Sequence, residues 1–198
     1  MDIIFATHNK GKAKEVQSSF LETNFNVKSL FDISCNVEVV EDGETFSDNA
    51  LKKANEISAI TNEIVIADDS GLEIDFLDKK PGVLSARFLG KETPQHIKNS
   101  KILEMLSEVP LESRSARFVC AMAVVLKDGT NFVVTETVEG FIAMNPSGTE
   151  GFGYDPIFYV PQYNKTMAEL PLDVKNKISH RGKALITVKK QLIELFIS

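Results

Sequence analysis

The chain has 198 residues, and its 22 lysines and arginines against 28 aspartates and glutamates give a formal net charge of −6. A hydrophobic fraction of 43% and a charged fraction of 25% at this length are typical of one folded globular domain rather than of a disordered protein. The acidic balance disfavours a protein that coats nucleic acid, because such a protein needs a basic face to neutralise phosphates.

The two cysteines, Cys35 and Cys120, are far apart in the sequence and form neither a disulfide framework nor a metal-binding motif. We therefore expect reduced thiols and a cytoplasmic protein. Residues 1–6 combine an early acid with a short apolar run, which is typical of a first strand and not of a signal peptide. No apolar stretch approaches the roughly 18 residues of a membrane span, so we expect no membrane partner.

Short apolar runs at the start of the chain alternate with stretches whose apolar residues recur at helical spacing. The runs predict buried strands, and the spaced residues predict amphipathic helices. The predicted elements are a strand at Asp2–Ala6, a helix from Lys12 to about Leu21, a strand at Val37–Val40, a helix from Thr45 to about Ile60 and a short strand at Ile64–Ala67 that stops at Asp68. This alternation is typical of an α/β protein.

Later in the chain, Thr93-Pro94 is typical of a helix start, with a capping hydroxyl before a proline in the first turn. The predicted elements are a helix from there to about Leu106, a hairpin of strands at Arg117–Leu126 and Asn131–Glu139, a glycine-rich stretch at Gly148–Pro156, a basic loop at Lys175–Lys183 and a last helix carrying Leu185, Val188, Leu192 and Phe196. Together these elements predict one α/β domain over residues 1–198, with a mixed central sheet flanked by helices.

The turn after the first predicted strand, Thr7-His8-Asn9-Lys10-Gly11-Lys12, is rich in hydrogen-bond donors. Backbone N–H groups at a helix start, together with two lysines, suit a phosphate group. The turn is not a P-loop, because Ala6 stands where the first glycine belongs and Ala13 replaces the magnesium-binding hydroxyl. It predicts either another phosphate cradle or a solvated helix start.

Two aspartates, Asp68 and Asp69, stand side by side at the end of a predicted buried strand. Adjacent carboxylates repel each other and are costly to bury unless a cation or donors meet them. Mg²⁺ is usually held by one or two carboxylates together with substrate phosphates. The pair therefore favours a functional site over an ordinary aspartate-rich turn.

A second acidic turn, Glu41-Asp42-Gly43-Glu44, comes before the second predicted helix. Asn49 and Lys53 are four positions apart on that helix, so they share a face and can reach one ligand. Helix capping and a solvated helix face explain the same residues more simply.

Two further segments combine features that suit a planar base. The aromatic residues of Gly151-Phe152-Gly153-Tyr154-Asp155-Pro156 can stack on a base, although an aromatic-anchored turn explains them nearly as well. Lys175 and the segment Ser179–Lys183 offer almost only donors, which would bind a keto oxygen. Positive charge at a helix start opposes the helix dipole, which favours a bound acceptor over a simple basic helix start.

Taken in order, these segments resemble the inosine triphosphate pyrophosphatase family, whose enzymes hydrolyse non-standard purine nucleoside triphosphates to monophosphates. The resemblance runs nearly end to end. The motifs that carry it are Thr7–Lys12 with Glu15, Gly43–Phe46 with Asn49 and Lys53, Ala67–Leu72, Gly82–Phe88, Gly151–Phe158 and Ile178–Ala184. It implies a two-lobed fold with an active-site cleft between the lobes, and a homodimer.

The resemblance also implies a role for each matched residue. Asp69 would be the general base and would hold Mg²⁺ together with Glu41. Many relatives carry two glutamates before the glycine turn, so Glu41, which Asp42 follows here, matches the second metal carboxylate to within one residue. The residues implied to bind substrate are Thr7, His8, Asn9, Lys10, Gly11, Lys12 and Lys53 at the triphosphate, Ser70, and Phe152, Gly153, Tyr154, Asp155, Lys175, His180 and Arg181 at the base. His8 departs from the small residue that many relatives have.

The resemblance implies a reaction that converts ITP, dITP or XTP to the monophosphate and pyrophosphate by water attack at the α-phosphorus. A related family of pyrophosphatases, of the septum-inhibitor type, favours modified pyrimidine nucleotides and is the alternative enzyme. A non-enzymatic alternative is a regulator that binds a nucleotide or RNA through Lys175–Lys183, and the net charge disfavours its RNA version.

Overall fold

The computed structural model describes residues 1–197. The α-helices within these residues are α1 (Lys10–Phe20), α2 (Phe46–Thr61), α3 (Gln95–Met105), α4 (Leu172–Ile178) and α5 (His180–Ile197). None of these helices is both long and apolar enough to cross a membrane.

The strands form one sheet. They are β1 (Asp2–Phe5), β2 (Asn26–Ser29), β3 (Ile64–Ile74), β4 (Ser115–Val125), β5 (Asn131–Ile142), β6 (Phe158–Val160) and β7 (Lys165–Thr166). Their order in the sheet is β2-β1-β3-β4-β5-β6-β7. β1 pairs in parallel with β2 and β3, whereas β6 pairs antiparallel with β5 and β7. The mixed sheet flanked by helices is therefore confirmed.

The chain divides into two compact units, each built from separate segments. The first unit comprises Met1–Asp69, Cys120–Glu136 and Arg181–Ser198, and the second comprises Ser70–Val119 and Thr137–His180. Each unit has its own apolar core. The first core includes residues of β1 and α5 such as Phe5 and Val188, and the second includes residues of β3 and α3 such as Leu72 and Ile102.

The second predicted strand was placed wrongly. Val37–Val40 is not a strand, and Val40 is 67% exposed. Asn26–Ser29 forms β2 instead, in register with Asp2–Phe5 of β1. Val27 joins the first core, so pairing with β1 and burial of one apolar side chain outweigh the stronger β propensity of the valine-rich stretch.

Other predictions of the elements also differ from the structure. β3 does not stop at Asp68 but continues to Ile74. The predicted basic loop belongs to α4 and the start of α5, and Ser179 separates the two helices. The Thr93 hydroxyl does not cap α3, because it donates to the Leu89 carbonyl oxygen at 2.6 Å.

Candidate active site

The turn between β1 and α1 holds the first group of predicted phosphate-binding residues. Asn9 caps α1, since its side-chain oxygen accepts hydrogen bonds from the backbone N–H groups of Gly11 and Lys12 at 2.9 and 3.2 Å. The Thr7 hydroxyl in turn accepts a hydrogen bond from the Asn9 backbone N–H at 3.1 Å. These contacts fix the turn and set the direction in which the helix leaves it.

Two side chains of this turn, His8 and Lys10, are exposed. His8 Nε2 lies 3.0 Å from the carbonyl oxygen of Val37. The Lys10 ammonium lies 5.8 Å from the centre of the Phe31 ring, within the range of a cation–π interaction. Both side chains therefore contact the segment that follows β2.

Asp68 is the centre of a buried group of charges in the first unit. Lys12 Nζ lies 2.9 Å and Arg181 Nε lies 3.2 Å from the same carboxylate oxygen, Asp68 Oδ2. Arg181 also pairs with Glu15, with Nη1 2.6 Å from Glu15 Oε2. Burial alone would raise the pKa of Asp68, but the neighbouring cations, led by Lys12 and Arg181, hold that pKa well below its ordinary value. Asp68 is therefore a permanent negative charge that anchors two cations.

Asp69, the next residue of β3, has the opposite electrostatic environment. Burial raises the pKa of Asp69 from 3.8 to about 6, and the negative charge of Glu41 adds to the rise. The Asn49 amide limits the shift by donating to Asp69 Oδ2 at 2.9 Å. A carboxyl group with this pKa can accept a proton from water near neutral pH and release it again, as a general base must.

Helix α2 brings Lys53 to the same group of charges. Its ammonium pairs with the Glu41 carboxylate. Burial alone would lower the pKa of Lys53, but the negative charges of Asp68 and Glu41 outweigh it and raise the pKa above 10.5. Lys53 thus remains positively charged at neutral pH although it is largely buried.

The two carboxylates implied to hold the metal suit Mg²⁺ chemically. The charge of Glu41 raises the pKa of Asp69, so the two groups repel each other and a cation would relieve that repulsion. Within residues 1–197, no three His, Cys, Asp or Glu side chains are grouped as a metal site. Mg²⁺ usually has one or two carboxylate ligands, and water and phosphate oxygens complete its coordination. It does not need a cage made only of protein ligands.

In the second unit, the predicted base-binding turn is organised around Asp155. Its carboxylate accepts a hydrogen bond from the Phe152 backbone N–H at 2.9 Å and pairs with Lys175 at 2.8 Å. The Lys175 ammonium also lies 4.8 Å from the centre of the Phe152 ring. Gly151 has φ +76°, and a Cβ there would collide with the Asp155 carboxylate, so this position needs glycine.

The same turn is held to other parts of the second unit by two hydrogen bonds that the sequence did not predict. The Tyr154 hydroxyl donates to the Ser85 carbonyl oxygen at 2.8 Å, and burial raises the pKa of Tyr154 to about 12. Asn99 of α3 donates to the Gly153 carbonyl oxygen at 3.2 Å. Ser85 lies in the matched motif Gly82–Phe88, so the sequence already pointed to its neighbourhood. For Asn99, the only sign of a functional role is that a polar residue lies on the buried face of α3.

The boundary between the units divides two predicted motifs. Asp69 ends a segment of the first unit and Ser70 begins the second; likewise His180 ends the second unit and Arg181 begins the last segment of the first. The His180 ring stacks on Phe118, with the ring centres 4.9 Å apart. Contact of His180 and Arg181 with a purine stays a prediction.

Comparisons with known proteins identify relatives of this chain. A family model described as the Ham1 family matches residues 3–191. A dITP/XTP pyrophosphatase of Bacillus cereus is 48% identical over 197 residues, covering 98% of this chain and 96% of that protein. Another of Desulforamulus reducens is 45% identical over 197 residues, covering 100% and 98%. The solved structure of a HAM1 protein from Coxiella burnetii has a TM-score of 0.89 at 37% identity and covers 98% and 99%.

Proposed function

The chain belongs to the Ham1 family, and we propose that it hydrolyses non-standard purine nucleoside triphosphates (ITP, dITP and XTP) to the monophosphate and pyrophosphate. The relatives are named for dITP and XTP, so the substrate class follows theirs. Such an enzyme removes damaged purine nucleotides from the pool before they are incorporated into nucleic acid.

The observation that supports this proposal best is the pair of neighbouring aspartates with opposite properties. Asp68 is held in its ionised form by Lys12 and Arg181, whereas the pKa of Asp69 is raised to about 6. Two adjacent carboxyl groups whose environments push their pKa values apart indicate separate tasks in catalysis. Asp68 then anchors cations, and Asp69 moves a proton.

In the proposed mechanism, Asp69 orients a water molecule and takes its proton as the water oxygen bonds to the α-phosphorus. The bond from the α-phosphorus to its bridging oxygen breaks, and pyrophosphate leaves. Glu41 and Asp69 would hold Mg²⁺, which when bound neutralises phosphate charge and favours departure of pyrophosphate. Lys12 and Lys53 meet the charge that develops on the phosphate oxygens.

Selectivity for the base follows from hydrogen-bond donors. Inosine and xanthosine present a 6-keto oxygen, which the donors of His180 and Arg181 can bind. Adenine presents an amino group at the same position, which cannot accept these hydrogen bonds, and the loss of each one costs about 1–3 kcal/mol. We therefore infer strong discrimination against ATP.

The experiment is a substrate panel with purified protein, Mg²⁺ and separate detection of pyrophosphate and orthophosphate. We expect pyrophosphate release from ITP, dITP and XTP to be far faster than from ATP, and we expect EDTA to abolish it. Equal rates for ITP and ATP, or orthophosphate as the first product, would contradict the proposal. Faster turnover of UTP or dTTP analogues would select the pyrimidine alternative, and binding without turnover would select a regulator.

The assembly and location of the protein are parts of the same proposal. The cleft between two lobes and the homodimer rest on the family resemblance, and sedimentation of the purified protein tests the dimer. The proposed cytoplasmic location rests on cysteine usage, since Cys35 and Cys120 are far apart in the sequence and form no disulfide framework.

A further inference from the structure

Helix α3 carries a polar pair that the proposed mechanism does not use. Asn99 is 7% exposed, and Gln95, one turn earlier, is half-buried. Both belong to the second unit, as does the turn Gly151–Asp155. A buried amide lowers stability unless it is hydrogen-bonded, so the partners of Asn99 indicate what the residue does.

The side-chain amides of Gln95 and Asn99 form two consecutive hydrogen bonds that end at Gly153. The Gln95 Nε2 group donates to Asn99 Oδ1 at 3.0 Å, and Asn99 Nδ2 donates to the Gly153 carbonyl oxygen at 3.2 Å. Because Gln95 occupies the oxygen side of the Asn99 amide, the nitrogen side faces Gly153. The orientation of the Asn99 amide is therefore set by its neighbour on the same helix.

Gly153 is the part of the turn with the greatest backbone freedom. It has φ +65°, and no atom of the described residues other than Gly153 and its two chain neighbours lies within 4 Å of the position of a Cβ. Glycine also tolerates many other conformations. The residues on either side are fixed differently: the Phe152 N–H binds the Asp155 carboxylate, and the Tyr154 hydroxyl binds the Ser85 carbonyl oxygen. The contact with Asn99 fixes the peptide between these two anchored aromatic residues.

We propose that Asn99, oriented by Gln95, is a positioning residue that sets base preference by holding the Gly153 carbonyl group, and with it the backbone between Phe152 and Tyr154. The inference rests on the proposed function, because it takes this turn as the part of the protein that binds the base. Asn99 acts through the turn and not on the reacting phosphate.

The test compares variants of the full-length protein in steady-state hydrolysis of ITP and ATP. Asn99→Asp keeps the shape of the side chain but replaces the donor with an acceptor facing the Gly153 carbonyl group. We expect the ratio of kcat/KM for ITP to that for ATP to fall about fivefold to tenfold, mainly through a higher KM for ITP. Inorganic tripolyphosphate, used as a competitive inhibitor that lacks a base, should keep its inhibition constant within about twofold.

Two further variants keep the test decisive. Gln95→Glu, at a half-buried position, removes the donor that orients Asn99 and also changes the hydrogen bond between the Gln95 and Tyr154 side chains. It should change the ratio in the same direction by a smaller factor. Lys101→Gln alters a partly exposed residue of α3 that pairs with Glu104, and it should leave both constants unchanged. A loss of stability alone would lower kcat for both substrates without changing the ratio.

An unchanged ratio in Asn99→Asp, or an equal weakening of tripolyphosphate inhibition, would overturn the inference while the proposed function stands. If Asn99→Asp does not fold, an unchanged ratio in Gln95→Glu overturns it. Absence of pyrophosphate release by the wild-type protein would overturn the proposed function and this inference together.

Discussion

The two units hold their predicted site residues by different physical means. In the first unit the side chains are paired charges: Lys12 with Asp68, Lys53 with Glu41, and Arg181 with two carboxylates. In the second unit one buried ion pair, Asp155 with Lys175, accompanies hydrogen bonds that end on backbone atoms.

This difference matches the two halves of the proposed substrate. A triphosphate carries several negative charges, and the lysines of the first unit, together with the Mg²⁺ that Glu41 and Asp69 would hold, compensate for removing it from water in the proposed site. A purine base is flat and neutral, so it is distinguished by shape, stacking and a few directed hydrogen bonds. Charge should therefore govern rate in the first unit, and geometry should govern base preference in the second.

The largest effect should come from removing the proposed base in the charged cluster. Asp69→Asn should lower the rate of pyrophosphate release roughly 10²–10⁴-fold, because an amide cannot take the proton from water. Stopped assays with ITP measure the rate, and circular dichroism checks the fold. Asp128→Asn, in the hairpin turn, should retain full activity. A variant at position 69 that keeps a tenth of the rate would show that Asp69 is not the base.

The ion pair of the second unit should matter more for stability than for chemistry. Lys175→Met leaves the buried Asp155 carboxylate without its cation, and we expect the free energy of unfolding to fall by about 3–5 kcal/mol. Urea titration measures it, with the exposed Lys177→Met on the same helix as the control. Replacing both partners, as Asp155→Asn with Lys175→Met, should recover part of the loss. Equal losses at positions 175 and 177 would contradict this account.

Two adjacent lysines of α2 provide a sharper comparison within the first unit. Lys52 pairs with Asp42 at the surface, whereas Lys53 is buried beside Glu41. Lys53→Met should lower kcat/KM for ITP by roughly 10- to 100-fold, the value of a charge-assisted hydrogen bond. Lys52→Met should leave kcat/KM unchanged. Similar losses in both variants would indicate that overall charge, and not the position of Lys53, attracts the substrate.

The smallest expected effect is on stability and depends on pH. Asp69 loses its proton near pH 3.8 when unfolded but only near pH 6 when folded, so this group lowers folded-state stability as pH rises through that interval. In EDTA, Asp69→Asn should be no more stable than the wild type at pH 4 and more stable by about 2 kcal/mol at pH 7.5. Urea titrations at both values measure the difference. A difference that stays constant with pH would show that the pKa of Asp69 is ordinary.

Local patterns predicted most of the helices and the hairpin because apolar spacing and turn residues act over short distances. β2 was missed because Asn26-Val27-Lys28-Ser29 has a single apolar residue and becomes a strand by pairing with β1. The predicted strand at Ile64–Ala67 ended too early because aspartates are poor strand formers. In the structure, the charges around Asp68 allow β3 to continue through the two aspartates.

The same limit applies to the site. Motifs pointed to Lys12, Asp69 and Arg181, but not to the contacts that give each its environment. Arg181 meets Glu15 across 166 positions of the chain, and Asn99 meets Gly153 across 54. Such contacts depend on the completed fold, so a buried amide on a helix looks ordinary until its partner is known.

The division of the chain into interleaved segments has a consequence for how the protein is made. The second unit ends at His180, so every residue of it has been synthesised before the last helix is complete. The first unit begins at Met1, yet its core includes Leu185, Val188 and Leu192, and Arg181 belongs to its charged cluster. During translation, which proceeds from the N-terminus, the core of the first unit must therefore wait until Leu192 has left the ribosome. The proposed hydrolytic centre is therefore complete only after the residues from Arg181 to Leu192 have joined the segments made earlier.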